Sequence, residues 1–486
     1  MNDFNKTFID ICNEAKVFGA NIVVCNSNDI LEKCSYGYSN IETKSESNEN
    51  TIYRIASISK TVLAIGLMQL VEKNLVNLDD DISKYLGFKV RNPEYPDVPI
   101  TVKMITLQTS SIQDGYDDEN PAYDDIIKGY NGINGTILDV SLETLLNDTT
   151  SEYYTKFTYG DYKPGTRFCY SNFGCGIMAC IIEKASGTWY VEYMEENVFK
   201  PLGLDASYKS SRIQNKDRIA DMYALYQSGL RTYKKENFIN SKLPIFPLGN
   251  NYRGPAGGLF ISMIDLSKIM RMFLNLGEFN GVRILKKETV EQMYQSEWIG
   301  SPYNDDYRGK SIQMRIIDSI NNFTLKGHTG GAYGVRSYMF FSIKHNIGAC
   351  FITNGINDVK VSAIREKLFQ DTQDLWVKKY SDYIPEEIVI DDNKITLKER
   401  TIIQDKLLIN NDNPYIKAKS LCDALDKLPE YVEDKLTLSI KSSDNKYEEI
   451  YDIIILNDEL YINLKSTLNK LNYKYVIKDN KYIISK

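Results

Sequence analysis

The sequence predicts a mixed α/β (α+β) protein of two domains, and three observations carry that reading. Two strand-like runs flank an Asn-Ser-Asn-Asp turn within residues 19–38, apolar residues at helical spacing run for several turns from Ser57, and strand-like runs return at 313–326, 335–343 and 347–353. Beyond about residue 385 the texture changes to short strands rich in Ile, Leu and Lys. A chain of 486 residues is too long for one ordinary core. A large domain over 1–384 and a small α+β accessory domain over 385–486 are therefore expected.

Taken in order, residues 5–17 have the spacing of an amphipathic helix, and 19–38 read as a hairpin. A polar stretch (39–51) follows. SISKTVLAIGLMQLVEKNL then reads as a long buried helix with Ser57 in its first turn. From 79 to 250 further helix-like segments alternate with loops rich in Asp, Asn, Tyr and Gly, notably 113–137, which suits a helical subdomain inserted in a sheet. After the late strands, a helix at about 358–379 ends near Asp382-Tyr383-Ile384-Pro385, where the domain boundary is placed. In the tail, Asn411-Asp412-x-x-Tyr415-Ile416-x-x-Lys419-Ser420 recurs as Asn457-Asp458-x-x-Tyr461-Ile462-x-x-Lys465-Ser466, each copy followed by a helix-like segment. Two copies of one small unit would pair to bury their apolar faces.

Composition narrows the function. With 43% hydrophobic and 25% charged residues the chain is a folded protein rather than a disordered one. Its 58 Lys and Arg against 65 Asp and Glu give a net charge of −7 without a basic face, which argues against nucleic acid as a partner. The longest apolar run near the middle, 173–182, is about half of the ~20 residues a bilayer span needs, so no transmembrane segment is expected. The first residues lack the pattern of a secretory signal; the chain as it stands reads as cytoplasmic, or as exported or cell-surface if already trimmed. Eight cysteines sit mostly in apolar stretches without ligand-like spacing and are expected to be reduced and packed. Only two histidines exist, His328 and His345, so a His-rich metal site and a Ser-His-Asp triad are poor fits. In a hydrolase of this composition, lysine and tyrosine would move the protons.

A serine at a helix N-terminus with a lysine three residues on places both side chains on one face, one turn apart. Ser57-Ile58-Ser59-Lys60 has that form, and there the amine would take the hydroxyl proton while the free first-turn N–H groups stabilise negative charge. Alone the pattern is weak: it recurs at Ser443-Asp444-Asn445-Lys446, and an ordinary capping serine with a surface lysine explains it equally. Tyr-x-Asn is as cheap in a chain of 35 tyrosines, occurring at 38–40, 170–172 and 461–463. Only Tyr170-Ser171-Asn172 follows a Pro164-Gly165 turn and opens an apolar helix. There Tyr170 would pass a proton to the leaving group and Asn172 would donate to a substrate carbonyl; a core tyrosine beside a capping asparagine is the plainer alternative. Lys326-Gly327-His328-Thr329-Gly330-Gly331-Ala332 reads as a strand end running into a glycine-lined stretch where backbone approaches a ligand, with the N–H groups of Gly331 and Ser57 forming an oxyanion hole, or simply as a hairpin with a structural histidine.

Together and in this order, the three motifs resemble the class C β-lactamase and D-alanyl-D-alanine carboxypeptidase superfamily, the penicillin-binding-protein-like serine hydrolases. The resemblance covers roughly residues 10–378 and includes 51–82, 164–187, PLGLDAS (201–207), GPAGGLFISMIDLSKIM (254–270) and GHTGGAYGVRSYMFF (327–341). It implies a β-lactamase/transpeptidase-like antiparallel sheet flanked by helices with a helical subdomain. It also implies acyl transfer through Ser57 with Lys60 and Tyr170, a substrate strand at His328, Thr329 and Gly330, an oxyanion N–H at Gly331, and no metal or organic cofactor. Histidine at 328, in place of the lysine usual in β-lactamases, is similar to DD-peptidases, D-amino-acid peptidases and some esterases. Two departures bear on specificity: Leu107-Gln108-Thr109-Ser110-Ser111 stands where the family commonly has His-Thr-Ser-Gly, and the loop 113–160 is long.

The C-terminal doublet resembles the small domain related to the copper amine oxidase N-terminal domain, without copper, since the segment has no histidine and one cysteine. Binding of cell-wall material, binding of a partner and passive packing are all open for it. The expected function is a serine hydrolase acting on small D-amino-acid peptides or peptidoglycan-like fragments. The alternatives are a carboxylesterase or β-lactamase with the same site, acting on an ester or a β-lactam, and a penicillin-binding-type sensor with little turnover.

Overall fold

A computed structural model describes residues 2–115, 139–241, 243–299, 309–318, 323–359 and 361–380. Of the C-terminal part it describes 388–391, 395–397, 400–403, 407–410, 413–425, 427, 430–432, 437–442, 446–456, 459–478 and 481–485. The elements that place the site are, in chain order, α1 (Asp3–Glu14), β1 (Gly19–Cys25), β2 (Ile30–Asn40), β3 (Ser45–Glu46), α2 (Ile58–Glu72), α3 (Val102–Leu107), α4 (Asn172–Ser186), α5 (Met263–Leu274), β4 (Trp298–Ile299), β5 (Gly309–Ser311), β6 (Met314–Asp318), β7 (Thr324–Ala332), β8 (Val335–Ser342), β9 (Ile347–Thr353) and α6 (Val361–Tyr380). The fold is mixed α/β around an antiparallel sheet in the order β4-β5-β6-β7-β8-β9-β1-β2-β3.

Helices cover both faces of this sheet, so its central strands are buried on both sides. Every residue of β1 and β9 is buried. One face packs on α1 and α6 through Phe8, Tyr338, Phe351 and Trp376; the other meets α2, α4 and α5 in the larger core. Helix α2 is apolar all round and buried along nearly its whole length.

Local chemistry moves some boundaries. Helix α1 starts at Asp3 because the Asn2 side chain accepts from the Asn5 N–H at 2.8 Å, and Lys16, at φ 52°, lies beyond its end. The run expected at 313–326 is two antiparallel strands, with Ile316 opposite Lys326, and β7 continues through the glycines to Ala332. There Gly330 pairs with Ser337 and Ala332 with Val335, so the glycine-lined stretch is itself part of the ladder.

In the C-terminal part, β10 (Asn413–Lys417) leads into α7 (Ala418–Leu425) and β11 (Glu459–Asn463) into α8 (Leu464–Lys470). The two strands pair antiparallel, Ile416 opposite Ile462, over a core of their own that includes Leu421, Leu464 and Leu468. The expected boundary at 382–385, the turn residues 411–412 and 457–458 of the repeat, and residues 116–138 of the long loop lie outside the described residues. No helix among the described residues is long and apolar enough to cross a membrane.

Candidate active site

Ser57 stands at the N-cap of α2, yet its hydroxyl caps nothing. Its Oγ accepts from Lys60 Nζ at 3.0 Å and from the Tyr170 hydroxyl at 2.7 Å. The residue before it, Ala56, has φ 51°, a left-handed conformation that costs of order 1–3 kcal/mol and turns the chain sharply into the helix. Lys60 is no surface lysine: it is 0% exposed, and its ammonium also donates to Asn172 Oδ1 and the Ala256 carbonyl, both at 2.8 Å. Its Nζ lies 4.8 Å from the centre of the Tyr170 ring. Burial is the largest influence on Tyr170 and pushes its phenol above the usual tyrosine range; the hydrogen bond to Ser57 opposes this.

Asn172 is fixed by a carboxylate that no sequence motif announces. Asp114 accepts from Asn172 Nδ2 at 2.8 Å, from the Phe173 N–H at 2.8 Å and from Ser171 Oγ at 3.2 Å. The amide oxygen of Asn172 is thereby turned toward Lys60. Burial raises the Asp114 carboxyl, while the hydrogen bonds and Lys60 act in the opposite direction. The segment 107–111 supports the tyrosine loop through its backbone: the Gly165 N–H donates to the Thr109 carbonyl at 2.7 Å and the Cys169 N–H to the Gln108 carbonyl at 2.9 Å. Main-chain atoms make these bonds, so this departure from the family pattern leaves the loop held.

The opposite wall is β7. A side chain on Gly330 would strike the Ile55 carbonyl and Ser337 Oγ, each at 2.3 Å, so only glycine lets the strand lie against the lead-in to Ser57. Ser337 Oγ ties the two together by donating to the Ile55 carbonyl at 2.9 Å. His328 is 1% exposed and its ring lies 6.1 Å from that of Tyr170. Its Nδ1 is 2.5 Å from the Thr329 carbonyl, which can only accept, so Nδ1 carries the proton and Nε2 the lone pair. Burial first, then the charges of Lys310 and Lys60, keep this imidazole neutral by lowering its pKa well below the usual value.

Ser57, Tyr170, Asn172, His328, Thr329, Gly330 and Gly331 all line one cleft of about 1150 Å³, with Lys60 beneath. The structure thus assembles every candidate drawn from the three motifs. The other copies of those motifs stand elsewhere: Asn40 donates to Asp221, Asn463 caps α8, and residues 443–445 lie outside the described residues. His345 stacks on Phe323 away from the cleft.

Beyond Asp114, sequence reasoning missed the cations. Among the described residues the cleft is lined by Arg54, Arg231, Arg315, Arg336 and Arg365 against a single carboxylate, Glu366. Behind it, burial followed by repulsion from Arg315 and Lys60 pushes Lys310 down to about 7. The only signal in the sequence is placement: β5 and β6 immediately precede the strand that carries His328.

Comparison with known proteins agrees with this arrangement. The beta-lactamase family model matches residues 4–369. Penicillin-binding protein 4* of Bacillus subtilis is 28% identical over 372 residues, 73% of this chain and 72% of that one. The share of the relative's own length is 64% for other curated matches. Among solved structures, the octameric penicillin-binding protein homologue from Pyrococcus abyssi superposes with a TM-score of 0.58 at 22% identity, covering 99% of both chains. D-amino acid amidase from Ochrobactrum anthropi SV3 superposes with a TM-score of 0.57 at 18% identity, covering 78% of this chain and 99% of that one. A family match over three quarters of the sequence, on a fold shared with these structures, places the chain in the beta-lactamase family of serine hydrolases.

Proposed function

We propose that this protein hydrolyses small D-amino-acid peptides or peptidoglycan-like fragments through an acyl-enzyme on Ser57. The observation that carries the proposal is the Ser57 hydroxyl held between Lys60 Nζ and the Tyr170 hydroxyl in a cleft walled by arginines. In its neutral amine form Lys60 takes the proton of Ser57 Oγ as that oxygen attacks the scissile carbonyl, and passes it on to Tyr170. The N–H groups of Ser57 and Gly331 receive the oxyanion, a contribution of roughly 3–4 kcal/mol for one donor. The Tyr170 hydroxyl returns a proton to the leaving amine, and water then releases the acyl group by the reverse path. His328, neutral, carries no charge with which to hold a substrate carboxylate. Arg315, which lines the same cleft, supplies one and favours a substrate that ends in a carboxylate, as a peptide does.

Turnover of D,D-dipeptides against their L,L counterparts tests the reading. Cleavage of the D,D series is expected. Equal or absent turnover of both, or fast hydrolysis of short acyl esters with no peptide cleavage, overturns it. Tyr170→Phe and Lys60→Ala should each lose most activity, about 100-fold or more, with an unchanged circular dichroism spectrum. Near-normal rates in either would refute its role.

A further inference from the structure

The C-terminal unit, for which wall binding, partner binding and passive packing are all open from sequence, grips the wall of the cleft. The Asp423 carboxylate on α7 accepts from the Ser296 N–H at 2.7 Å, from Ser296 Oγ at 2.6 Å and from Lys326 Nζ at 2.6 Å. The Lys326 side chain is 2% exposed and also donates to the Tyr294 carbonyl at 2.6 Å. Lys326 stands two positions before His328 on β7, so both side chains leave the same face of the sheet.

A second contact lies one turn away on α7. Lys419 donates to the Glu297 carbonyl at 3.1 Å, and the Glu297 carboxylate takes Lys103 of α3 at 2.8 Å and Lys419 at 3.9 Å. Next along the chain, Trp298 packs on Phe168, with ring centres 5.7 Å apart, two residues before Tyr170. Helix α7 therefore holds the strand of the His-Thr-Gly motif directly, and the loop of Tyr170 through one intervening side chain. Without Asp423, the Lys326 ammonium would keep neutral acceptors in a place water barely reaches, and the strand would shift to expose it.

We infer that Asp423 is a positioning residue: by binding Lys326 it fixes β7 at the height where His328 and Gly331 meet the substrate, and full activity requires the C-terminal unit in its seat. The inference rests on the acyl-transfer reading of Ser57. Neither Asp423 nor Lys326 lines the cleft, so neither takes part in the chemistry itself.

The test uses the full-length chain and two probes, a fluorescent fluorophosphonate and a fluorescent penicillin. Acylation rates and amide hydrogen exchange over 324–332 are compared in wild type, Asp423→Asn, Asp423→Glu, Ser296→Ala and Lys326→Met. Val476→Ser, at a position 62% exposed on a C-terminal strand, is the control. Asp423→Asn should acylate about tenfold more slowly, equivalent to about 1.4 kcal/mol, with faster exchange in 324–332. Ser296→Ala should do so to a smaller extent, Asp423→Glu should recover part of the rate, and the control should match wild type. The double variant of Asp423→Asn with Lys326→Met should be no slower than the worse single one. Unchanged acylation and exchange in Asp423→Asn overturn the inference, as does a lower melting temperature with an unchanged rate well below it. If Ser57→Ala abolishes labelling in these same assays, the site reading stands through either result. If wild type is never labelled, the site reading fails, and the exchange comparison alone decides whether Asp423 orders β7.

Discussion

Asp114 shows how a residue outside the reacting set can govern it. Its two oxygens take three donors, including the amide that turns Asn172 toward Lys60. Asparagine at this position would set an NH2 group against those donors, so Asp114→Asn should lower kcat by about tenfold or more, since small misplacements of a reacting group are costly. KM should change less, and a kcat within twofold of wild type would remove the assigned role. Lys310 makes a different prediction. In the unfolded chain a lysine titrates at about 10.4, whereas burial and neighbouring cations push it down to about 7 here. Between those values the unfolded state holds a proton the folded state lacks, so stability rises with pH through that window and the penalty is complete below it. Lys310→Met should be more stable than wild type at pH 6 and should flatten the rise between pH 7 and 9, as read from urea unfolding at each pH.

At the scale of elements, the site depends on two close approaches of backbone. Helix α2 begins after a strained residue, and β7 lies against that strained lead-in because Gly330 has no side chain. The turn that joins β7 to β8 is equally tight. Gly334 has φ +89°, and a methyl group there would sit 1.8 Å from the Tyr223 carbonyl oxygen. Gly334→Ala should therefore destabilise the protein by more than about 1 kcal/mol, measured as a lower urea midpoint, because both its conformation and its contact forbid a side chain. An unchanged midpoint would mean that the turn can rearrange at no cost. The two-residue turn also sets the register that places His328, Gly330 and Gly331 together, so the same variant should acylate more slowly even where it remains folded.

For the molecule as a whole, the cores flanking the large sheet and the core of residues 388–484 are separate clusters bridged by polar contacts at α7. Separate cores predict separable unfolding. Leu468, fully buried in the C-terminal core, should cost about 2–5 kcal/mol when replaced by alanine. Calorimetry of Leu468→Ala should show one transition moved down and the other nearly in place. A single transition that moves as one would mean that the α7 contacts couple the cores fully.

The sequence by itself determined the mixed α and β character, the buried helix at Ser57, the late antiparallel strands and the order of the three motifs. These are written in local terms: hydrophobic period, turn residues, and side chains three positions apart on one helix. The same local terms left Ser57 and Tyr170 with plain structural explanations, because nothing local says that residues 113 positions apart share a hydrogen bond. Asp114, Lys310, Arg315 and the link from Asp423 to Lys326 were decided by tertiary structure alone. Each acts across a long stretch of chain, through burial and through charges brought close only when the sheet and helices pack, and a lone Asp, Lys or Arg carries no pattern by which its distant partner can be read.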